Sequence, residues 1–195
     1  MTYPETKRVD HWDVYHGVRV HDPYRWLEDL DSPQTKAWVD AQNALAQPFL
    51  ESIPARERIK ARLTELWNYE RYGVPIVKGG RYFYLRNDGL QNQSVLYVAE
   101  SLDGEPRVLL DPNELSPDGT IALGEVVPSP DGRIIAYSLS DGGTDWRTWH
   151  FRDVNTGKDL PEVLRFIKFA DVAWTADSKS VYYARYPTLP DGTGD

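Results

Sequence analysis

Three of the four histidines lie near the start of the chain at intervals of five residues: His11, His16 and His21. Carboxylates flank them at Asp10, Asp13 and Asp22, and both side-chain types are common metal ligands. However, a spacing of five alternates faces on a strand and turns about 140° around a helix. Neither conformation brings the three rings together, and the His-x₃-His spacing of zinc motifs is absent. We therefore expect turn or surface histidines and no metal site.

Other acidic clusters have equally simple explanations. Glu28, Asp29 and Asp31 could suggest paired carboxylates for glycoside chemistry. Acidic residues near the first turn of a helix more often balance its dipole. The acid–glycine loops at 141–145 and 191–195 lack the calcium-loop spacing with its final Glu, and they indicate hairpin turns.

Composition excludes several classes of protein. The net charge is −8 and no Lys/Arg-rich run occurs, which argues against nucleic acid as a partner. No window approaches the ~18 apolar residues of a membrane span, so we expect no membrane partner. The chain has no cysteine, which excludes disulfides and thiolate sites. No apolar stretch follows the first charged residues, so we expect no secretory leader and a cytoplasmic location.

Residues 14–29 predict a hairpin followed by a helix start. His16-Gly17 lies between two alternating stretches, and both residues tolerate the positive φ of a tight hairpin turn. Asp22 is typical of an N-cap and Pro23 of a first helical residue.

Two amphipathic helices are predicted next. Ser32-Pro33 is a second cap signal, and apolar residues follow at helical spacing at 38, 41, 45 and 49. Pro48 should end or kink this helix near its last turn. Another helix is expected to start around Pro54, with one apolar face: Ile59, Leu63, Leu66 and Trp67.

From about Tyr69 the hydrophobic period changes from helical to two. Strands are predicted at 81–86, 94–98, 107–110, 134–138, 147–152 and 181–184, with polar turns between them. The segment 129–137 is echoed at 175–183, with Asp131 and Asp177 46 residues apart, and a weaker echo lies at 77–84. A turn and strand repeated at roughly 40–50 residues is typical of β-propeller blades. We expect two blades and the beginning of a third.

Many short segments of the chain, in order, resemble the prolyl oligopeptidase family of serine peptidases. The resemblance begins with the hairpin and cap segment 14–29 and extends almost to the end. The other matching segments are 31–37, 41–43, 62–66, 81–84, 89–93, 96–98, 110–113, 116–120, 143–146, 168–169 and 173–174.

The resemblance implies an α+β fragment. Residues 1–68 would be the N-terminal segment of an α/β-hydrolase peptidase domain. Residues 69–195 would be the first two to three blades of a propeller that is seven-bladed in the family. Members cut short peptides on the carboxyl side of proline, and the propeller filters substrates by size. The implied partners are short proline-containing peptides and a C-terminal peptidase domain, and no metal or organic cofactor is implied.

The catalytic residues of such a peptidase are absent from these 195 residues. The nucleophile should stand in a Gly-x-Ser-x-Gly elbow, and no serine here has that context. Ser32, Ser129 and Ser138 all fall in predicted turns or strands. We therefore expect no peptidase activity from this polypeptide alone.

The resemblance carries one substrate-contacting residue onto this sequence, Phe169. It matches a propeller aromatic that faces the substrate, on the side away from the proline pocket. Without the resemblance, Phe169 would be an ordinary inward residue of a blade.

A different class of function also fits a propeller: a non-catalytic module that binds a ligand or another protein. The helical segment before the blades argues for the peptidase. Because repeat folds depend on their neighbours, the isolated polypeptide is expected to associate or to be marginally folded.

Overall fold

The computed structural model describes residues 2–188, so the turn predicted at 191–195 lies outside it. The chain divides into two compact units, Met1–Glu65 and Leu66–Asp195. The first is built from a hairpin and helices, and the second from antiparallel sheet.

The predicted hairpin is confirmed. Strands β1 (Trp12–Tyr15) and β2 (Val18–His21) pair with Tyr15 opposite Val18. His16 and Gly17 form the turn with φ of 51° and 83°, the left-handed pair that a two-residue hairpin needs.

The helix start predicted at Asp22-Pro23 is wrong. A short 3₁₀ helix begins instead at Arg25 and ends at Glu28, with Tyr24 as its N-cap. The Asp22 carboxylate accepts the Tyr24 N–H at 3.2 Å and the Asp22 carbonyl accepts the Arg25 N–H, so Asp22 closes a turn rather than capping an α-helix.

Both predicted α-helices are present. Helix α1 (Pro33–Glu51) is capped by Ser32, whose Oγ accepts the Thr35 N–H at 3.2 Å. Pro48 lies in its last turn, and the helix ends three residues later. Helix α2 (Arg56–Trp67) begins two residues after Pro54 and has no buried residue, so its apolar face is exposed. None of the helices in residues 2–188 has the length and hydropathy to cross a bilayer.

The second unit contains a five-stranded and a four-stranded antiparallel sheet and the start of another. The first blade comprises β3 (Arg71–Tyr72) and β4 (Ile76–Lys78), which both pair with β5, then β5 (Arg81–Asn87), β6 (Val95–Ala99) and β7 (Arg107–Leu110). The second comprises β8 (Ala122–Pro128), β9 (Ile134–Ser140), β10 (Arg147–Asp153) and β11 (Asp159–Ile167). The pair β12 (Val172–Trp174) and β13 (Val181–Tyr183) begins a third. The predicted fold class, two to three propeller blades after a hairpin and helices, is confirmed.

Two apolar clusters hold these sheets together. One face of β9 carries Ile135 and Tyr137, which pack against Phe83, Leu96 and Val98 of the first blade. The opposite face of the second blade packs Ala136, Trp149 and Phe151 against Val172 and Trp174. Successive side chains on a strand point to opposite faces, so one strand serves two interfaces.

The predicted repeat is visible in the hydrogen bonds. Ser129 Oγ donates to Asp131 Oδ1 at 2.7 Å and accepts the Ile134 N–H at 3.1 Å. Thr175, Asp177 and Ser180 reproduce the same bonds at 2.7 and 3.1 Å. The echoed sequence therefore encodes the same turn before β9 and before β13.

Candidate functional site

Phe169 lies on the connection between β11 and β12 with its side chain 80% exposed. Its φ is 56°, and Phe166, three residues earlier, has φ of 61°. A bulky residue in the left-handed region costs about 1–3 kcal/mol and persists only when its surroundings enforce it. The segment 166–169 is therefore held in a strained conformation that presents the Phe169 ring to solvent.

Contacts of the Lys168 side chain help to hold this segment in its strained conformation. Its Nζ lies 4.2 Å from the Trp146 ring centroid and 5.0 Å from that of Tyr186, and the two rings meet edge to face at 5.5 Å. The Tyr186 N–H also donates to the Phe166 carbonyl at 2.8 Å. Each cation–π contact stabilises by about 0.5–1 kcal/mol at an exposed site, so the pair offsets part of the strain.

A cavity of about 260 Å³ opens beside Phe169. The lining residues differ in burial. Ser138 and Trp149 are fully buried and form the floor. The partly buried Gly124, Arg147 and Ala170 form the walls. The exposed residues form the rim: Glu125, Asp145, Phe169 and Asp171.

Two β-bulges shape this cavity. The pairing of β8 with β9 shifts between Leu123 and Val126, where the Glu125 N–H donates to Ser138 Oγ at 2.9 Å. The pairing of β10 with β11 shifts between Arg147 and Trp149, opposite the left-handed Phe166. Bulges redirect side chains at the edges of functional sites, and here they open space between neighbouring strands.

Gly124 leaves room for the side chains of Ser138 and Arg147. A Cβ atom at Gly124 would lie 2.6 Å from Ser138 Oγ and 3.1 Å from Arg147 Nη1. The absent side chain thus leaves the volume that the guanidinium group approaches.

The floor contains an unmatched polar group. Trp149 has no exposed surface, and its Nε1 finds no hydrogen-bond acceptor among residues 2–188. Leaving a buried donor unpaired costs about 1–3 kcal/mol. By contrast, the Trp174 Nε1–H donates to the Val127 carbonyl at 2.9 Å.

A polar cluster braces the other face of the same sheet. Arg152 donates to both carboxylate oxygens of Asp159 at 2.7 and 2.9 Å and to the Leu109 carbonyl at 2.8 Å, and Tyr137 Oη donates to Asp159 at 3.0 Å. Burial, followed by the Asp159 charge, raises the pKa of Tyr137 to about 12. Burial alone would raise the pKa of Asp159, but the hydrogen bonds and charge of Arg152 outweigh it and hold that pKa low. Burial lowers the pKa of His150, whose ring stacks on Tyr137 at 5.5 Å.

Of the other residues considered from sequence, Ser138 and Asp145 line this cavity, and the N-terminal histidines lie outside it. His16 forms the hairpin turn, His11 lies 3.3 Å from Asp13, and the His21 ring lies 4.5 Å from the Trp12 ring. In the described part of the chain, no three His, Asp or Glu side chains are grouped to hold a metal ion. Sequence reasoning missed the roles of Gly124, Arg147 and Trp149. The one available indication was that Arg147 and Trp149 are two apart in a predicted strand and so share a face.

Two antiparallel sheets, of five and four strands, and a third sheet begun after them define the second unit as a segment of a β-propeller. The model of the family described as "Prolyl oligopeptidase, N-terminal beta-propeller domain" matches residues 4–194. The chain belongs to the prolyl oligopeptidase family, as the resemblance in its sequence predicted.

Relatives with assigned functions support the same family assignment. The prolyl endopeptidase of Elizabethkingia meningoseptica is 42% identical over 193 residues, which cover 99% of this chain and 27% of that protein. Prolyl oligopeptidase A of Galerina marginata is 34% identical over 95% of this chain and 28% of its own length. The chain thus spans less than a third of these relatives.

Solved structures show the same fold. A structure from a study of two prolyl endopeptidases and their inter-domain dynamics matches with a TM-score of 0.84 and 39% identity, covering 97% of this chain and 28% of that one. Prolyl oligopeptidase B from Galerina marginata, bound to a 35-residue hydrolysis and macrocyclization substrate, matches with a TM-score of 0.76 and 32% identity over 95% of this chain and 30% of that one.

Proposed function

We propose that these 195 residues are the N-terminal portion of a serine endopeptidase that hydrolyses short peptides on the carboxyl side of proline. The observation that carries the proposal is the 42% identity to a prolyl endopeptidase along nearly the whole chain. In this proposal residues 1–68 complete the peptidase domain and residues 69–195 begin a propeller that filters substrates by size. The serine, acid and histidine would come from chain beyond Asp195, and the protein would act in the cytoplasm, which cell fractionation tests.

The direct test is to express the complete coding sequence that contains this chain and to assay a blocked Gly-Pro chromogenic peptide. The proposal is supported if this peptide is cleaved after proline and Pro-containing substrates of protein size are not cleaved. The 195-residue polypeptide alone is the matched control and should show no cleavage. A complete gene product with no Gly-x-Ser-x-Gly motif and no cleavage would contradict the peptidase and favour a ligand-binding propeller.

Phe169 is proposed to pack against a substrate side chain upstream of the proline. Its exposure, its strained backbone and its place on the cavity rim support this role. Replacing it with Ala should lower kcat/KM about tenfold for peptides with an apolar residue there, since a tenfold change is about 1.4 kcal/mol and a partly buried aromatic contact is of that size.

The Phe169→Ala effect should fall on KM rather than kcat, because the ring contributes binding and touches no reacting atom. Tyr182→Ala is the control, since Tyr182 is an equally exposed aromatic that does not line the cavity. Equal losses in both variants, or a loss confined to kcat, would count against a substrate contact.

A further inference from the structure

Phe169 projects from a segment whose neighbouring residues are anchored. Ile167 is fully buried in the core cluster of the second blade, and Ala170 packs against the same cluster. Lys168 is partly buried, which leaves Phe169 as the only exposed residue between 167 and 170. The direction of its ring is therefore set by the way these neighbours are fixed.

The two left-handed residues of this segment are fixed differently. The Phe166 carbonyl accepts the Tyr186 N–H at 2.8 Å, which is a main-chain bond. Phe169 lacks such support: within residues 2–188, no main-chain hydrogen bond of the loops and turns involves it. Its conformation, with φ of 56°, therefore depends on the side-chain contacts next to it.

Those contacts are made by Lys168, and they join three parts of the second unit. Trp146 directly precedes β10, and Tyr186 lies three residues after β13. The Lys168 Nζ lies 4.2 Å from the Trp146 ring centroid and 5.0 Å from that of Tyr186, and we call these three side chains the aromatic clamp. Because a cation is attracted to the face of each ring, the clamp fixes the side chain that immediately precedes Phe169.

Trp146 stands behind the cavity rather than in it. Both of its neighbours, Asp145 and Arg147, line the cavity beside Phe169, whereas Trp146 is not among the described residues that line it. Its ring contacts Lys168 and Tyr186 instead. A substitution at Trp146 therefore changes the support of Phe169 without removing a group that lines the cavity.

We propose that Trp146 is a positioning residue for the substrate contact of Phe169. Trp146 holds the ammonium group of Lys168, and Lys168 fixes the backbone beside Phe169. The Phe169 ring thereby keeps the orientation in which it meets the substrate side chain upstream of the proline. The assignment rests on the proposed peptidase function and on the proposed substrate contact of Phe169.

The test uses the complete gene product and the blocked chromogenic peptide acetyl-Leu-Gly-Pro-p-nitroanilide, which has an apolar residue upstream of the proline. Trp146→Ala should raise KM about threefold, since the loss of a cation–π contact at an exposed site corresponds to a ratio of about two to five. The value of kcat should stay unchanged, because the clamp acts on binding and touches no reacting atom.

A double-mutant cycle distinguishes positioning from a general loss of structure. Phe169→Ala alone removes the ring that the clamp supports. The double variant Trp146→Ala with Phe169→Ala should therefore have the same KM as Phe169→Ala, because the clamp acts only through that ring. A defect that spreads through the blade would instead raise KM by about the same factor in both backgrounds.

Substitutions of Lys168 provide a rescue experiment. Lys168→Met keeps the stem and removes the charge, so it should raise KM as Trp146→Ala does. Lys168→Arg keeps a cation that stacks on aromatic rings, so it should retain the parent KM. Lys168→Met leaves both rings in place and keeps the test decisive if Trp146→Ala fails to fold.

The matched control removes a similar contact in another sheet. Arg86 lies 5.6 Å from the Tyr72 ring centroid in the first blade, and Tyr72 is exposed. Tyr72→Ala should leave KM and kcat unchanged. A rise in KM equal to that of Trp146→Ala would show that losing any exposed cation–π contact has this effect, and would overturn the positioning role.

Three further results would overturn the proposal. The first is a parent-like KM in both Trp146→Ala and Lys168→Met while cleavage after proline is intact, which would leave the proposed function standing. The second is an additive rise in KM in the double variant. The third is absence of cleavage after proline by the parent, which would overturn the proposed function and this assignment together.

Discussion

Two glycines allow the backbones of the first two blades to touch. Gly79 precedes β5 and Gly132 precedes β9, with φ of 55° and 69°. A Cβ at Gly79 would lie 2.0 Å from the Asp131 carbonyl oxygen, and one at Gly132 would lie 2.5 Å from the Lys78 oxygen. The obstructing atoms are backbone, which cannot rotate away, so any side chain at either position must separate the blades.

Gly79→Ala should therefore destabilise the protein by about 3 kcal/mol or more, since it combines left-handed strain with a clash in a packed interface. Gly80→Ala is the control: its φ is 78°, but nothing lies within 4 Å of the added Cβ, so only the strain of about 1 kcal/mol applies. Urea unfolding of the two variants measures the difference. Similar urea midpoints for the two variants would show that the blades can separate at Gly79 without loss of stability.

At the level of elements, sequence patterning predicted what is local or strongly buried. The strands at 81–86, 107–110 and 147–152 were predicted within one residue, because each contains a short run or alternation of aromatic and aliphatic residues that includes buried side chains. Strands β3, β4, β8, β11 and β12 were missed. β8 and β11 contain Pro and charged residues, and β3, β4 and β12 have only two or three residues, so none has a clear period of two.

The cavity was not predictable in the same way. It depends on Gly124, Ser138 and Trp149 meeting across three strands, and the sequence gives no local sign of that register. The bulges that open it add one residue to a strand without any distinctive motif. Phe169 could be proposed only through the family resemblance, because an isolated aromatic beside a strand is an ordinary residue.

The cluster of Tyr137, Arg152 and Asp159 ties strands β9, β10 and β11 together and makes stability depend on pH. The folded pKa of Asp159 is low, so its contribution is complete above the unfolded value near 4 and is lost as the pH falls through the folded pKa. The folded pKa of Tyr137 is raised to about 12, so its contribution is complete below the unfolded value near 10 and is lost as the pH rises toward 12.

Tyr137→Phe should flatten the alkaline limb of the stability profile between about pH 10 and 12, where the parent loses about 2 kcal/mol. Asp159→Asn should flatten the acid limb below about pH 4 instead. Unfolding by urea at pH 3, 7 and 11 distinguishes the two variants. An alkaline limb that is unchanged in Tyr137→Phe would show that this phenol is not the titrating group.

At the scale of the whole molecule, each unit exposes apolar surface that a self-sufficient domain would bury. Helix α2 presents Ile59 and Leu63 about half exposed, and the hairpin presents Val14 and Val18. In the propeller unit, the paired strands β12 and β13 form a two-stranded sheet. Repeat folds gain stability from neighbouring repeats, and a two-stranded sheet is marginal by itself.

The 195-residue polypeptide expressed alone should therefore self-associate or unfold with a broad, weakly cooperative transition. The apolar face of α2 is one cause, because burying such side chains is favourable by about 25 cal/mol per Å² of apolar surface. Ile59→Glu with Leu63→Glu should shift the sedimentation profile toward monomer. Ala61→Glu with Thr64→Glu adds the same charge on other exposed positions of α2 and should not. A monodisperse parent with a sharp melt would contradict the prediction, and equal shifts in both double variants would assign the effect to charge rather than to the apolar face.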